Sequence, residues 1–184
     1  MELLSLSLAG HPDPKVHTGI EALQQATNLM TYTVGRLMNA STDRDAKLRF
    51  EKVDLPVMVK HFCLYYERFA DRKQIRCLFE PAIDVPSVWT DRVATAAVLD
   101  NLFSNAVKYS PPKTRIWVDV FADRDRVVCS VRNEGPGLSE EDKAKLFQPG
   151  ARLTPKPTGG EPSSGYGLAV AKEFIDRLGG NDLV

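Results

Sequence analysis

The stretch Leu99-Asp100-Asn101-Leu102-Phe103-Ser104-Asn105-Ala106-Val107-Lys108-Tyr109-Ser110 decides how this sequence folds. Its spacing predicts a helix from about Asp91 to Tyr109, stopped by Pro111-Pro112, because proline cannot continue the helical hydrogen-bond ladder. Leu99, Leu102, Phe103, Ala106 and Val107 supply the buried side. Asn101, Asn105, Lys108 and Tyr109 fall at i, i+4, i+7 and i+8 and project from one side. Two amides, an ammonium and a phenol on one stripe are poor core material. The stripe either faces solvent or holds a polar ligand. An asparagine carbonyl suits Mg²⁺, which takes hard oxygen ligands and keeps most of its waters while bridging phosphates. Lys108 can neutralise phosphate charge, and Tyr109 can pack beside a base or ribose.

Two motifs downstream bear on that choice. Asn133-Glu-Gly-Pro-Gly137 directly follows a strand pattern. Its glycines allow a sharp turn and a close approach to a ligand, and a short polar side chain at a strand end can read a base edge. A plain turn would look the same. Ser163-Ser-Gly-Tyr-Gly-Leu168 opens a last helix, from about Tyr166 to Leu178, and glycines there expose backbone N–H groups that suit phosphate. Neither a Walker A loop nor a Rossmann fingerprint is present. The segment Gln148 to Ser164, rich in Pro, Gly and Thr, is too long for a plain connector and reads as a mobile lid.

Around these motifs the pattern is of strands and helices in mixed order. Arg49–Leu55, Ile75–Phe79 and Ser87–Trp89 read as strands, and Leu55–Lys73 as an amphipathic helix with Val59, Phe62, Tyr66 and Phe69 on one face. Arg115–Phe121 and Arg126–Arg132 form a hairpin around Asp123-Arg-Asp125, and Ser139 caps a short helix reaching Phe147. The expected fold is an α/β two-layer sandwich, a mixed sheet covered on one face by helices, over residues 48–184. Residues 1–47 differ. After the turn His11-Pro-Asp-Pro14, the residues Val16, Ile20, Leu23, Thr27, Met30, Val34 and Leu37 alternate at spacings of four and three. That seam predicts a helix over 14–38 in a helical hairpin that pairs two copies of the chain, with Leu3, Leu4, Leu6 and Leu8 as the tail of its partner helix.

Composition narrows the function classes. The 184 residues hold 24 Lys+Arg and 24 Asp+Glu, so no bulk positive potential draws nucleic acid. With 43% hydrophobic and 26% charged residues the chain reads as a folded soluble domain. Cys63, Cys77 and Cys129 are too far apart in sequence for a metal motif and read as reduced thiols of a cytoplasmic protein. The apolar start, Met1 to Gly10, has neither a basic leader nor a spanning length, so no membrane contact is expected of these residues. A longer, membrane-anchored parent is compatible with that.

Taken together, the motifs resemble those of histidine protein kinases. Residues 99–110 resemble the family's N box, Val131 to Leu138 its G1 box, Lys145-Leu-Phe147 its F box and Ser164 to Lys172 its G2 box, in the family's order. The resemblance implies a Bergerat-fold ATP site, shared with gyrase, chaperone and mismatch-repair ATPases. It makes Asn105 the Mg²⁺ ligand, assisted by Asn101, and Lys108 a phosphate contact, these three acting on the reacting phosphates. Tyr109 would lie beside the adenine, with Asn133 facing its amino group and Gly135 and Gly137 shaping that loop. Phe147 and the run Ser164, Gly165, Tyr166, Gly167 and Leu168 would complete the nucleotide site.

The sequence also departs from the family. Asn133 stands where the G1 box usually has aspartate, an acceptor without charge assistance. His11, His17 and His61 all lack the setting of an H box, so the resemblance implies a phosphoacceptor histidine before Met1, and the closing strands expected after Gly179-Gly180 are missing. In the gyrase-like hydrolases a glutamate one turn before the Mg²⁺ asparagine activates water. Asn101 cannot act as that base. The implied function is the ATP-binding core of a two-component sensor kinase, a homodimer that works with a response regulator. The alternative is a degenerate, non-catalytic dimerisation module.

Overall fold

The computed structural model describes residues 48–161, 163 and 165–181, together with Val16, Gly19 and Leu23, which are helical. The helix expected over 14–38, the hairpin reading of residues 1–47 and Ser164 otherwise lie outside the described residues.

Five strands form two ladders. β1 (Phe50–Val53) pairs antiparallel with β3 (Val88–Asp91), Phe50 opposite Asp91. β2 (Arg76–Pro81) runs parallel to β4 (Arg115–Asp123), which pairs antiparallel with β5 (Arg126–Asn133), giving the order β2-β4-β5. The hairpin turns where it was predicted, with Asp123 opposite Arg126. The single sheet expected from sequence is thus two ladders, while the α/β sandwich class stands.

Helix α1 (Leu55–Arg72) starts where Asp54 accepts the N–H of Val57 at 3.0 Å, with Pro56 in its first turn. Its apolar stripe buries Leu55, Met58, Val59, Tyr66 and Ala70. Helix α2 (Arg92–Tyr109) starts at Asp91, whose two carboxylate oxygens accept from Ala94 N at 2.8 Å and Arg49 N at 2.6 Å. One aspartate thereby caps α2 and fixes the chain entering β1. At the far end Ser110 is fully buried, its Oγ donating to Ala106 O at 2.6 Å.

The core lies between these two helices and the three-stranded ladder. Phe103 of α2 stacks against Phe62 and Tyr66 of α1, each ring pair 5.8 Å between centroids, above Ile116, Val118 and Val120 of β4. Helix α3 (Glu140–Lys145) is capped by Ser139, as predicted, but ends before Phe147. Helix α4 (Gly167–Arg177) packs against α2. The three cysteines are free and half-buried. Among the described residues no helix is long and apolar enough to cross a membrane.

Candidate functional site

The C-terminal half of α2 distributes its polar groups in three directions. Asp100 turns to α1, where the Tyr66 hydroxyl donates to its Oδ1 at 2.7 Å and its carbonyl at 3.2 Å. Burial, reinforced by the Asp100 charge, holds the Tyr66 hydroxyl well above its ordinary pKa, so it stays a donor. Asn101 turns to α4. It is 6% exposed, its Nδ2 donates to Ala97 O at 2.8 Å, and a methyl on Gly167 would lie 2.5 Å from its Oδ1. Asn105, one turn on, is half-buried, and its amide makes no hydrogen bond to any described residue. A neutral carbonyl oxygen held on a rigid helix and left uncommitted suits a hard cation. No group of three or more His, Cys, Asp or Glu among the described residues could hold a metal by itself.

The end of α2 meets the loop after β5. A methyl on Gly135 would lie 2.6 Å from Tyr109 O and 2.5 Å from Asn133 Nδ2, so only glycine fits between them. The loop is fastened by Glu134, whose carboxylate accepts from Arg115 N at 2.8 Å and from its guanidinium at 3.1 Å. Gly137 meets nothing within 4 Å and faces open space.

The segment 148–161 closes the third side. Thr154 binds Asp142 Oδ1 through its N–H (2.9 Å) and hydroxyl (3.2 Å), and that backbone hydrogen bond above all holds the Asp142 carboxyl below its usual range. Thr158 N donates to Lys108 O at 2.9 Å and its hydroxyl to Ser110 O at 2.5 Å. Lys73 and Glu161 form an ion pair at 3.0 Å. Beyond them Ser163 Oγ is 3.2 Å from the Tyr109 hydroxyl. Gly165, at φ +74°, is demanded twice, since a methyl there would also lie 2.6 Å from Ala151 O.

Residues 90–183, from β3 through α4, match the family of histidine kinase-, DNA gyrase B- and HSP90-like ATPases. The chain belongs to this family. Its ligand class is ATP. The swarming motility regulation sensor protein RssA of Serratia marcescens is 33% identical over 137 residues, which is 73% of this chain and 28% of RssA. The chain therefore spans little more than a quarter of that relative's length. The catalytic domain of the histidine kinase ThkA matches at 25% identity and a TM-score of 0.63, over 71% of this chain and 82% of that domain. ThkA in complex with the response regulator TrrA has the same fold at 22% identity and TM-score 0.63, over 95% of this chain and 49% of ThkA.

In this member of the ATPase family, Tyr109, Asn133 and Gly135 are brought into contact, as are Asn101 and Gly167, and Ser163 reaches Tyr109. Phe147 is half-buried in the turn after α3, and Tyr166, which precedes α4, lies with its hydroxyl beside Gly150. Leu168 is half-buried in the first turn of α4. The sequence reading missed Lys73, Asp142, Thr154, Thr158 and Glu161, all of which fasten the 148–161 segment. None belongs to a glycine motif, and Lys73 and Glu161 are 88 positions apart, so only the fold joins them.

Proposed function

We propose that residues 48–184 are the catalytic core of a two-component sensor histidine kinase, binding Mg·ATP between α2, the 133–137 loop and the lid. In this reading Asn105 supplies an oxygen to Mg²⁺, with Asn101 placing the helix face one turn earlier, and Lys108 meets phosphate. Tyr109 and Asn133 border the adenine, and Gly135, Gly137, Phe147 and the 164–168 run line the rest. When bound, Mg²⁺ neutralises charge on the phosphates. The protein's own contribution is positioning, as in other phosphoryl transfers. The γ-phosphoryl of ATP passes to an imidazole nitrogen, leaving ADP and a phosphohistidine.

None of the chain's three histidines has the H-box setting, and His61 is exposed on α1. In this reading the acceptor is a histidine outside these 184 residues. A homodimer through the 14–38 helix, a response regulator as recipient and a cytoplasmic location under an anchored parent complete the proposal. ThkA's complex with TrrA supports the regulator.

The observation that carries this reading is the uncommitted Asn105 amide on the same helix whose end touches both the Asn133–Gly135 turn and Ser163 of the lid. Calorimetric titration with Mg·ATP tests it: the intact chain binds and Asn105→Ala does not. Absence of binding by the intact chain would favour a degenerate dimerisation module, the reading to which Asn133 in place of the usual aspartate lends weight. Incubated alone with ATP, the chain gains no acid-labile phosphate.

A further inference from the structure

Lys73 stands at the C-cap of α1, outside every motif of the nucleotide site. Its ammonium has three donors, and each has a partner. One goes to Val107 O at 2.8 Å, one to Lys108 O at 3.2 Å and one to Glu161 Oε1 at 3.0 Å. The first two acceptors are last-turn carbonyls of α2, which lack partners within the helix and carry the negative end of its dipole. The third belongs to the lid. The two side chains are 11% and 16% exposed, so water competes little for the pair. The second oxygen of Glu161 accepts the N–H of Gly159 at 2.8 Å, which bends the lid tip back on itself. Alongside, Thr158 is bonded to the carbonyls of Lys108 and Ser110. Lys108 O therefore receives both the lid backbone and the Lys73 ammonium. These contacts surround Lys108 and Tyr109, the end of α2 assigned above to the phosphate and base.

We propose that Lys73 is a positioning residue for the nucleotide: by clasping Glu161 to the end of α2 it fastens the lid and sets how long ATP stays bound. The inference rests on the ATP reading above. It adds that release of the nucleotide is governed by one ion pair that belongs to none of the nucleotide motifs. Two charged hydrogen bonds, to Val107 O and Lys108 O, hold the ammonium in place whether or not Glu161 is present. The pair is thus a clasp with a fixed half and a movable half.

The primary test is Glu161→Gln, a lid change that leaves the core untouched. Dissociation of a fluorescent ATP analogue, followed by stopped-flow displacement, should be about tenfold faster, the scale of one charge-assisted hydrogen bond. Exchange of the Thr158 amide hydrogen, measured without nucleotide, should rise in the same variant. Lys73→Met should match it, whereas Lys73→Arg, which keeps the charge, should retain slower release than Lys73→Met. A merely structural Lys73 would lower thermal stability without moving the release rate of Glu161→Gln. An unchanged release rate in Glu161→Gln overturns the proposal. If the intact chain binds no ATP analogue, the ATP reading fails, and the exchange arm still judges the clasp by itself: faster Thr158 exchange keeps it and unchanged exchange removes it.

Discussion

Replacing Gly135 by alanine should separate packing from flexibility in the loop that faces the base. The new methyl would lie 2.5 Å from Asn133 Nδ2 and 2.6 Å from Tyr109 O. Ordinary contacts are about 3.5 Å, so the overlap is roughly 1 Å on two sides. The Tyr109 carbonyl is backbone and does not yield easily, whereas the Asn133 amide is a side-chain end that can turn. Tyr109 O belongs to the last residue of α2, flanked by Lys108 and Ser110 carbonyls that hold Thr158. Asn133 is the last residue of β5, in register with Ile116. Either the loop shifts by about an ångström or the Asn133 amide swings away. Overpacking of this kind costs about 1–3 kcal/mol. At roughly 3 °C per kcal/mol for a domain of this size, the melting temperature should fall by about 3–9 °C. Because the displaced group is the one assigned to adenine, the Kd for Mg·ATP should rise at least tenfold, about 1.4 kcal/mol. Gly137→Ala is the control for packing alone, since its methyl meets nothing within 4 Å and its φ is not positive. Its unfolding free energy should stay within about 0.5 kcal/mol of the parent. Thermal melts compare the two variants, and calorimetry reads binding by Gly135→Ala. A Gly135→Ala chain that binds and melts like the parent would refute the reasoning, as would equal falls in melting temperature in the two variants.

Three further outcomes follow from groups outside the nucleotide loop. Tyr66→Phe removes a hydrogen bond to the Asp100 carboxylate, so urea melts should show a loss of about 2 kcal/mol, the scale of one hydrogen bond to a charged group. The Asp142 carboxyl is held low, chiefly by the Thr154 N–H, so its contribution is fully present above about pH 4, the unfolded value, and is lost as pH falls through the folded value. Pepsin cleavage in the 148–161 segment should accordingly rise across that window, and Asp142→Asn should flatten the rise. Among the thiols, Cys77 is lowered by a hydrogen bond from Cys63, Cys63 is raised by the same contact and by burial, and Cys129 is pushed by burial up to about 12. Brief alkylation at pH 8 should therefore label Cys77 first, read by peptide mass.

The strands, the helices and the Ser139 cap were legible in the sequence because they depend on local periodicity and on side chains three residues apart. Asp54 and Asp91, which the sequence reading did not name as caps, close their helices in the same way, through the N–H three positions on. The α2 stripe was legible as polar but not as divided. Four residues at i, i+4, i+7 and i+8 share a broad face, and one edge of that face is covered by α4. Which helix comes to cover it is set by the chain returning some sixty positions later, and no local pattern records that. The lid fastenings were invisible for the same reason. A lysine at a helix end and a glutamate in a Pro/Gly-rich loop are ordinary residues until the fold sets them 3.0 Å apart.

That division of α2 bears on whether a site of this shape consumes ATP in water or keeps it for transfer. A hydrolase needs a base one turn before Asn105, and residue 101 occupies that turn. Its side chain is under the start of α4, with a backbone acceptor on one side and the Gly167 backbone on the other. A neutral amide tolerates such burial because its N–H is satisfied by Ala97 O. A carboxylate there would meet that same carbonyl as a second acceptor and lose its hydration, at a cost of several kcal/mol. The packing of Gly167 against residue 101 thus disfavours the one substitution that would supply a water-activating base. Asp100, the nearest carboxylate in sequence, is engaged by Tyr66 on another side of the helix. Both carboxylate options near Asn105 are therefore closed by contacts the fold itself makes. A bound ATP would have no base from this helix to direct water at it, which is the condition a kinase core requires until an acceptor side chain arrives.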